Sequence, residues 1–163
     1  MHPSRGTRRA GPQAQRDMSA HLPITYRPAI GALLQSCNLP LAGNGGAEDH
    51  LDSFQVATAE GRIVACAAIE RHGNAALLRS CAVDEPYRRQ GLGHELVQQA
   101  INRATALGIG ELVLLTTTAE NYFARFGFKR VSRDDVAGSL MASQEFRGAC
   151  PASACVMRLT LAP

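Results

Sequence analysis

The sequence predicts an α/β fold, of the α+β kind, in one domain: a mixed sheet of about six to seven strands flanked by helices. Three observations predict it. Between residues 54 and 83, apolar runs alternate with short turn signals, which reads as three sequential antiparallel strands. From residue 92 the apolar positions switch to helical spacing, with Leu92, Leu96, Val97, Ala100, Ile101 and Ala104 on one stripe. The short apolar run 112–115 then completes a β-α-β unit with the strand that ends at Val83.

At 163 residues and 45% hydrophobic, the chain buries one core and leaves little for a second domain. Residues 1–17 hold four arginines and one aspartate, so the rest of the chain carries 13 basic and 13 acidic groups and no net charge. Net charge therefore gives no support to a nucleic-acid partner. The division predicts a disordered basic tail over 1–17, with nothing apolar to offset its ordering entropy, and a single folded domain over 18–163. No run of 18 apolar residues exists for a membrane span. An odd number of cysteines, three of them in apolar runs, reads as reduced thiols in a cytoplasmic protein.

The remaining elements follow in order. Residues 22–26 alternate weakly and predict a first strand. Pro28 suits the first position of a helix, whose apolar stripe is Ile30, Leu33 and Leu34, ending near Asn38. A loop leads to a short helix over 47–51 and a strand over 54–58. Turns at Glu60-Gly61 and His72-Gly73-Asn74 connect it to strands at 62–69 and 76–83. Past the long helix and strand 112–115 come a short helix over 120–125 and a strand over 127–131. A capped helix from Asp134 or Asp135 and a closing strand over 154–161 complete the chain.

The turn before the long helix carries the most chemistry. Glycines at 91 and 93 let a ligand approach the backbone without a Cβ in the way. The amides of Gln90, Gly91, Leu92, Gly93 and His94 sit at the positive end of the helix dipole, and Arg88 and Arg89 add full charges, a combination suited to a pyrophosphate. The same turn also suits simple packing, with solvated arginines. It is neither a dinucleotide fingerprint nor a P-loop.

The run Cys81-Ala82-Val83, followed by Arg88-x-x-Gly91-x-Gly93, resembles the acetyl-CoA-binding motif of the GNAT superfamily. Asn121-Tyr122-Phe123-Ala124-Arg125-Phe126-Gly127-Phe128 resembles that superfamily's second CoA-contacting segment. The resemblance implies acetyl-CoA as co-substrate, no metal, and a strongly twisted sheet in which strands 76–83 and 112–115 splay apart around the pantetheine. It implies that Cys81, Ala82 and Val83 contact the acetyl-pantetheine arm, with Asn121, Phe123 and Arg125 adding contacts from the second segment. Narrower blocks resemble the arsenic-resistance N-acetyltransferase family within GNAT: 76–80, 114–119, Ser143-Gln144-Glu145-Phe146 and Cys150-Pro151-Ala152-Ser153-Ala154. That resemblance implies arsenic detoxification and a small amino-acid-like acceptor with a second anionic head, as in arsinothricin or phosphinothricin.

The reaction needs a group to take the amine's proton, a donor for the oxyanion and an acid for the leaving thiolate. Glu70, at the end of an apolar strand, is the candidate base, with Glu120 a weaker one; an exposed hairpin carboxylate is the competing reading. The superfamily's usual acid position holds Phe123. Tyr122 stands one residue early, and Ser80 or solvent is the alternative donor. Arg79 lies in an apolar strand, where an unpaired cation is costly; its fork suits an anionic acceptor, or else a structural carboxylate partner. Thr116, Thr117 and Thr118 are candidate pocket residues. Two rival functions remain: an inactive CoA-binding sensor, and a protein that binds a soft metal or trivalent arsenic through Cys150 and Cys155. A homodimer is compatible with the sequence.

Overall fold

A computed structural model describes residues 15–17 (backbone only), 26–37, 54–136, 138, 140, 146 and 153–161. Among these, seven strands form one sheet in the order β1-β2-β3-β4-β5-β7-β6. They are β1 (Gln15–Asp17), β2 (Phe54–Ala59), β3 (Arg62–His72), β4 (Ala75–Val83), β5 (Glu111–Thr116), β6 (Lys129–Val131) and β7 (Cys155–Thr160). The helices are α1 (Tyr26–Ser36), α2 (Leu92–Ala106) and α3 (Glu120–Ala124). Every neighbouring pair is antiparallel except β4 and β5. The mixed sheet read from the sequence is therefore the one observed.

The two faces of the sheet are covered by different helices. The α2 stripe packs Val97, Ala100, Ile101 and Ala104 against Ile69, Ala76, Leu78, Leu112 and Leu114, with Phe123 and Phe128 from the α3 region. Leu92 and Leu96 continue it over Ala57, Val64, Ala65 and Ala67. On the other face Ile30, Leu33 and Leu34 of α1 cover Phe54, Val56, Cys66, Ala68 and Ala82. The long helix thus forms where the 3.6-residue period demanded it, and its apolar stripe is its buried face.

Two departures from a regular sheet position the site. The parallel pairing of β4 with β5 covers only Ala75↔Glu111, Ala76↔Leu112 and Leu77↔Val113. Beyond it β4 runs on to Val83 beside β3, while β5 stays with β7, so the two strands part. This is the splay expected of strands 76–83 and 112–115. The second departure is a bulge: Cys66 faces Ala82 and Ala68 faces Arg79, so Ser80 and Cys81 together oppose Ala67. Ser80 takes a positive φ of 56°, a left-handed conformation uncommon outside glycine. One extra residue shifts the alternation, placing Cys81 and Val83 on the α2 face and Ala82 on the α1 face.

Several expectations need correction. Gln15–Asp17 pairs with Val56–Thr58 as an edge strand, so the end of the expected tail is ordered backbone; residues 1–14 lie outside the described residues. Tyr26 opens α1 rather than ending a strand, and 22–25 and 47–51 are outside the described residues. The helix expected from Asp134 or Asp135 begins as a 3-10 turn over Arg133–Asp135, with the Ser132 hydroxyl accepting from the Asp134 amide at 3.4 Å. The cap is Ser132, not the acidic pair.

Candidate active site

The gap between β4 and β5 opens into a cavity of about 1400 Å³. Its wall combines Leu78–Val83 of β4, Leu114–Thr116 of β5, the turn and first residues of α2, and Tyr122, Phe123 and Arg125 near α3. Of the predicted site residues, Arg79, Ser80, Cys81, Ala82, Val83, Arg88, Arg89, Gly91, Leu92, Gly93, His94, Thr116, Thr117, Thr118, Tyr122, Phe123 and Arg125 meet on this wall. Glu70, Gln90 and Asn121 do not line it, and Gln90 and Asn121 are exposed.

The start of α2 is bare. Gly91 caps the helix at φ 80°, and no side chain bonds its first amides. The first intrahelical bond is Glu95 N–H to the Gly91 carbonyl at 3.0 Å, which leaves the amides of Leu92, Gly93 and His94 without helical acceptors. A Cβ on Gly93 would come within 3.2 Å of the Tyr122 hydroxyl and 3.4 Å of Val83 Cγ2. The glycine therefore keeps open the floor that those two side chains frame. Arg89 is itself left-handed at φ 67°, exposed, and on the cavity wall. These features fit an anionic, phosphate-bearing ligand.

Arg88 is not simply solvated. Its Nε donates to the Val83 carbonyl at 3.0 Å and its Nη2 reaches Cys37 Sγ at 3.7 Å. It thereby ties the end of β4 to the end of α1, and Gln35 and Cys37 join the wall. Sequence reasoning missed those two and Tyr87, because contacts between α1 and a loop some fifty positions later leave no local pattern. Tyr87 is 4% exposed and anchors the 3-10 turn Glu85–Tyr87 in the core beneath α2.

Tyr122 points into the cavity despite standing one residue early. Its ring packs edge-on against Phe123 and Phe126, while Phe123 turns into the core against Phe128. Burial, and then the neighbouring Cys81, push the Tyr122 phenol above its ordinary value, so it stays protonated at neutral pH. Ser80 contributes its carbonyl to the Cys66 thiol at 3.2 Å. Thr116 Oγ1 accepts from the Ala119 amide at 3.0 Å, which fixes the turn into α3, while Thr117 and Thr118 are exposed on the wall.

The wall also holds Arg79, 6% exposed. Its Nη1 donates to Glu70 Oε2 at 2.5 Å, and Glu70 Oε1 meets His72 Nε2 at 2.8 Å. Burial raises the Glu70 carboxyl, but Arg79 and then His72 more than offset this and hold it below the usual carboxylate range. Glu70 is thus an ion-paired carboxylate behind the wall. Among the described residues no carboxylate lines the cavity.

Among the described residues, no group of three or more His, Cys, Asp or Glu side chains is placed to hold a metal ion. Cys155 is a half-buried free thiol, and Cys150 lies outside the described residues. No helix among the described residues is long and apolar enough to cross a membrane.

Residues 50–130 match the family model of the acetyltransferase (GNAT) domain. With the splayed β4 and β5 and the bare helix start between them, the chain contains a GNAT acetyltransferase domain. Among curated relatives, an amino-acid acetyltransferase of Pseudomonas syringae pv. syringae is 39% identical over 89 residues, covering 53% of this chain but 21% of the relative. That of Pseudomonas fluorescens is 37% identical over 84 residues, 50% of this chain and 19% of the relative. The chain thus spans about a fifth of the length of the curated relatives it matches. Among solved structures, N-acetylglutamate synthase from Neisseria gonorrhoeae, complexed with coenzyme A and L-arginine, superposes with a TM-score of 0.75 at 22% identity, covering 94% of this chain and 34% of that one. Rv2747 from Mycobacterium tuberculosis, in a complex containing CoA, gives 0.73 at 21% identity over 93% of this chain and 100% of that one. These structural likenesses establish the fold.

Proposed function

We propose that this chain is an acetyl-CoA-dependent N-acetyltransferase whose acceptor is a small amino acid bearing a second anionic group. The observation that carries the reading is one cavity whose wall holds both a bare helix start and a buried arginine. The amides of Leu92, Gly93 and His94, with Arg89 and Arg125, would hold the CoA pyrophosphate, and the gap between β4 and β5 would take the pantetheine. CoA supplies the activated acetyl thioester. The bulge at Ser80–Cys81 interrupts the β3–β4 pairing, and backbone amides released there from the regular ladder would meet the developing oxyanion. The Tyr122 phenol is the proton donor we assign to the departing thiolate.

Arg79 is assigned to the acceptor's anionic group. The residue lies on the cavity wall while its Nη1 donates to Glu70, and a guanidinium fork suits a carboxylate, phosphinate or arsinate. The amine's proton leaves to solvent through the open side of the cavity, since no wall carboxylate among the described residues is placed to take it. The relatives named for amino-acid acetylation support an amino-acid acceptor. Within that class, the blocks resembling the arsenic-resistance N-acetyltransferases favour arsinothricin- or phosphinothricin-type amino acids, while the likeness to N-acetylglutamate synthase favours glutamate. The reading places the protein in the cytoplasm, beside its acyl donor.

Release of CoA thiol from acetyl-CoA, followed with glutamate, phosphinothricin, arsinothricin and alanine, tests the proposal. Turnover is expected with the anionic acceptors and little with alanine. CoA binding with no thiol release for any amine would indicate a sensor instead. Tight stoichiometric soft-metal binding without turnover would favour the Cys150/Cys155 alternative.

A further inference from the structure

We propose that Glu70 is a positioning residue that acts on the acceptor through Arg79, fixing the guanidinium's direction and cancelling part of its charge. This rests on the reading of Arg79 as the acceptor's anion partner. Glu70 pairs in register with Leu77, and Arg79 with Ala68, so the two charged residues are diagonal neighbours on one face of β3 and β4. Arg79 is the last paired residue before the bulge, at the point where β4 leaves a regular ladder. A long cationic side chain at such a break has many rotamers, and the bond to Glu70 Oε2 selects one of them. The second carboxylate oxygen, held by His72, keeps Glu70 itself from rotating.

The arrangement divides the labour unequally. Arg79 reaches the cavity wall, whereas Glu70 stays behind it, so the carboxylate never opposes the acceptor directly. A carboxylate already shared between a guanidinium and an imidazole is a poor acceptor for the amine's proton. It can nevertheless set the field the acceptor meets. With Glu70 ionised, the pair presents an oriented fork carrying less than a full positive charge, which admits an anionic head without holding the product too tightly.

Two variants separate direction from charge. Glu70→Gln keeps an oxygen for Arg79 Nη1 and offers its amide N–H to His72, but removes the negative charge. The KM for glutamate, taken as the dicarboxylic probe, is expected to fall about two- to fivefold, with kcat within twofold and alanine unaffected. Glu70→Ala removes both charge and tether, and KM for glutamate is expected to rise roughly 10- to 150-fold, again sparing alanine. A drop in kcat of about 10²-fold or more in both variants at unchanged KM would overturn the proposal and make Glu70 the base. Equal KM changes for glutamate and alanine, or no change in either variant, would overturn it too. Calorimetric titration of glutamate into CoA-loaded protein reads the same order of affinities without turnover. A chain that transfers no acetyl group therefore defeats the functional reading alone, while the titration still decides the role of Glu70.

Discussion

Where α2 meets the cavity the polar groups are backbone amides; around Arg79 they are charged side chains braced against one another. The first needs little more than absence: Gly91 at φ 80°, Gly93 with no Cβ, and a helix start that no side chain caps. The second needs presence at long range, a carboxylate on β3 meeting a guanidinium nine positions later across an antiparallel register. Groups fixed by the backbone tolerate varied side chains but not added bulk. Groups fixed by a side-chain pair tolerate bulk nearby but not the loss of a partner. This contrast suits a co-substrate shared by many enzymes at the first and a selected acceptor at the second.

The sharpest way to break the comparison is to add bulk and charge beside the amides. Gly93→Glu places a carboxylate against Tyr122 and Val83 in the path of the phosphates, and Gly91→Glu adds strain at a left-handed position. Both are expected to abolish CoA binding by calorimetry while the melting temperature stays within a few degrees. Wild-type affinity in either would end the assignment of those amides. Next in size, if Tyr122 is the proton donor we assign, Tyr122→Phe should slow acetyl transfer by about 10²-fold or more with CoA affinity retained. A change under twofold in single-turnover rate would return Tyr122 to a packing role.

The smallest effect concerns stability and pH. The folded Glu70 carboxyl lies below its unfolded value of about 4.3. Its contribution to stability is therefore fully present above that pH and is lost as pH falls through the folded value. Thermal melts should show Glu70→Gln less stable than wild type at neutral pH, with the gap closing in acid. A gap that persists unchanged at low pH would mean that the ionised carboxylate is not what Arg79 and His72 stabilise.

The same contrast explains what was legible in the sequence. The cradle is local: Arg88 to His94 are consecutive, and their glycine spacing reports their geometry directly. The run β2-β3-β4-β5 was equally accessible, because two tight hairpins and one crossover helix dictate those neighbours, whereas the edge strand β1 and the place of β7 between β5 and β6 were not. The Arg79 pairing was legible only as a choice between an acceptor and a structural carboxylate. Settling on Glu70 requires the β3–β4 register, Glu70 facing Leu77 and Ala68 facing Arg79, which the hairpin after His72 sets and no single residue type announces. Tyr122 stands one position early in the sequence, yet with the α3 turn fixed by Thr116 and Ala119 it lines the cavity while Phe123 packs in the core. Cys37 and Gln35 reach the wall from a different part of the chain altogether.

The most direct test of the account is the KM of Arg79→Ala for glutamate relative to its KM for alanine. Loss of a charge-assisted bond of about 1.5–3 kcal/mol predicts a rise of roughly 10- to 150-fold for glutamate and little for alanine. Arg79→Lys should restore the glutamate KM only in part, since a point charge cannot form two parallel bonds. An equal rise for both acceptors, or none for either, would contradict the assignment of Arg79 to an anionic amino acid.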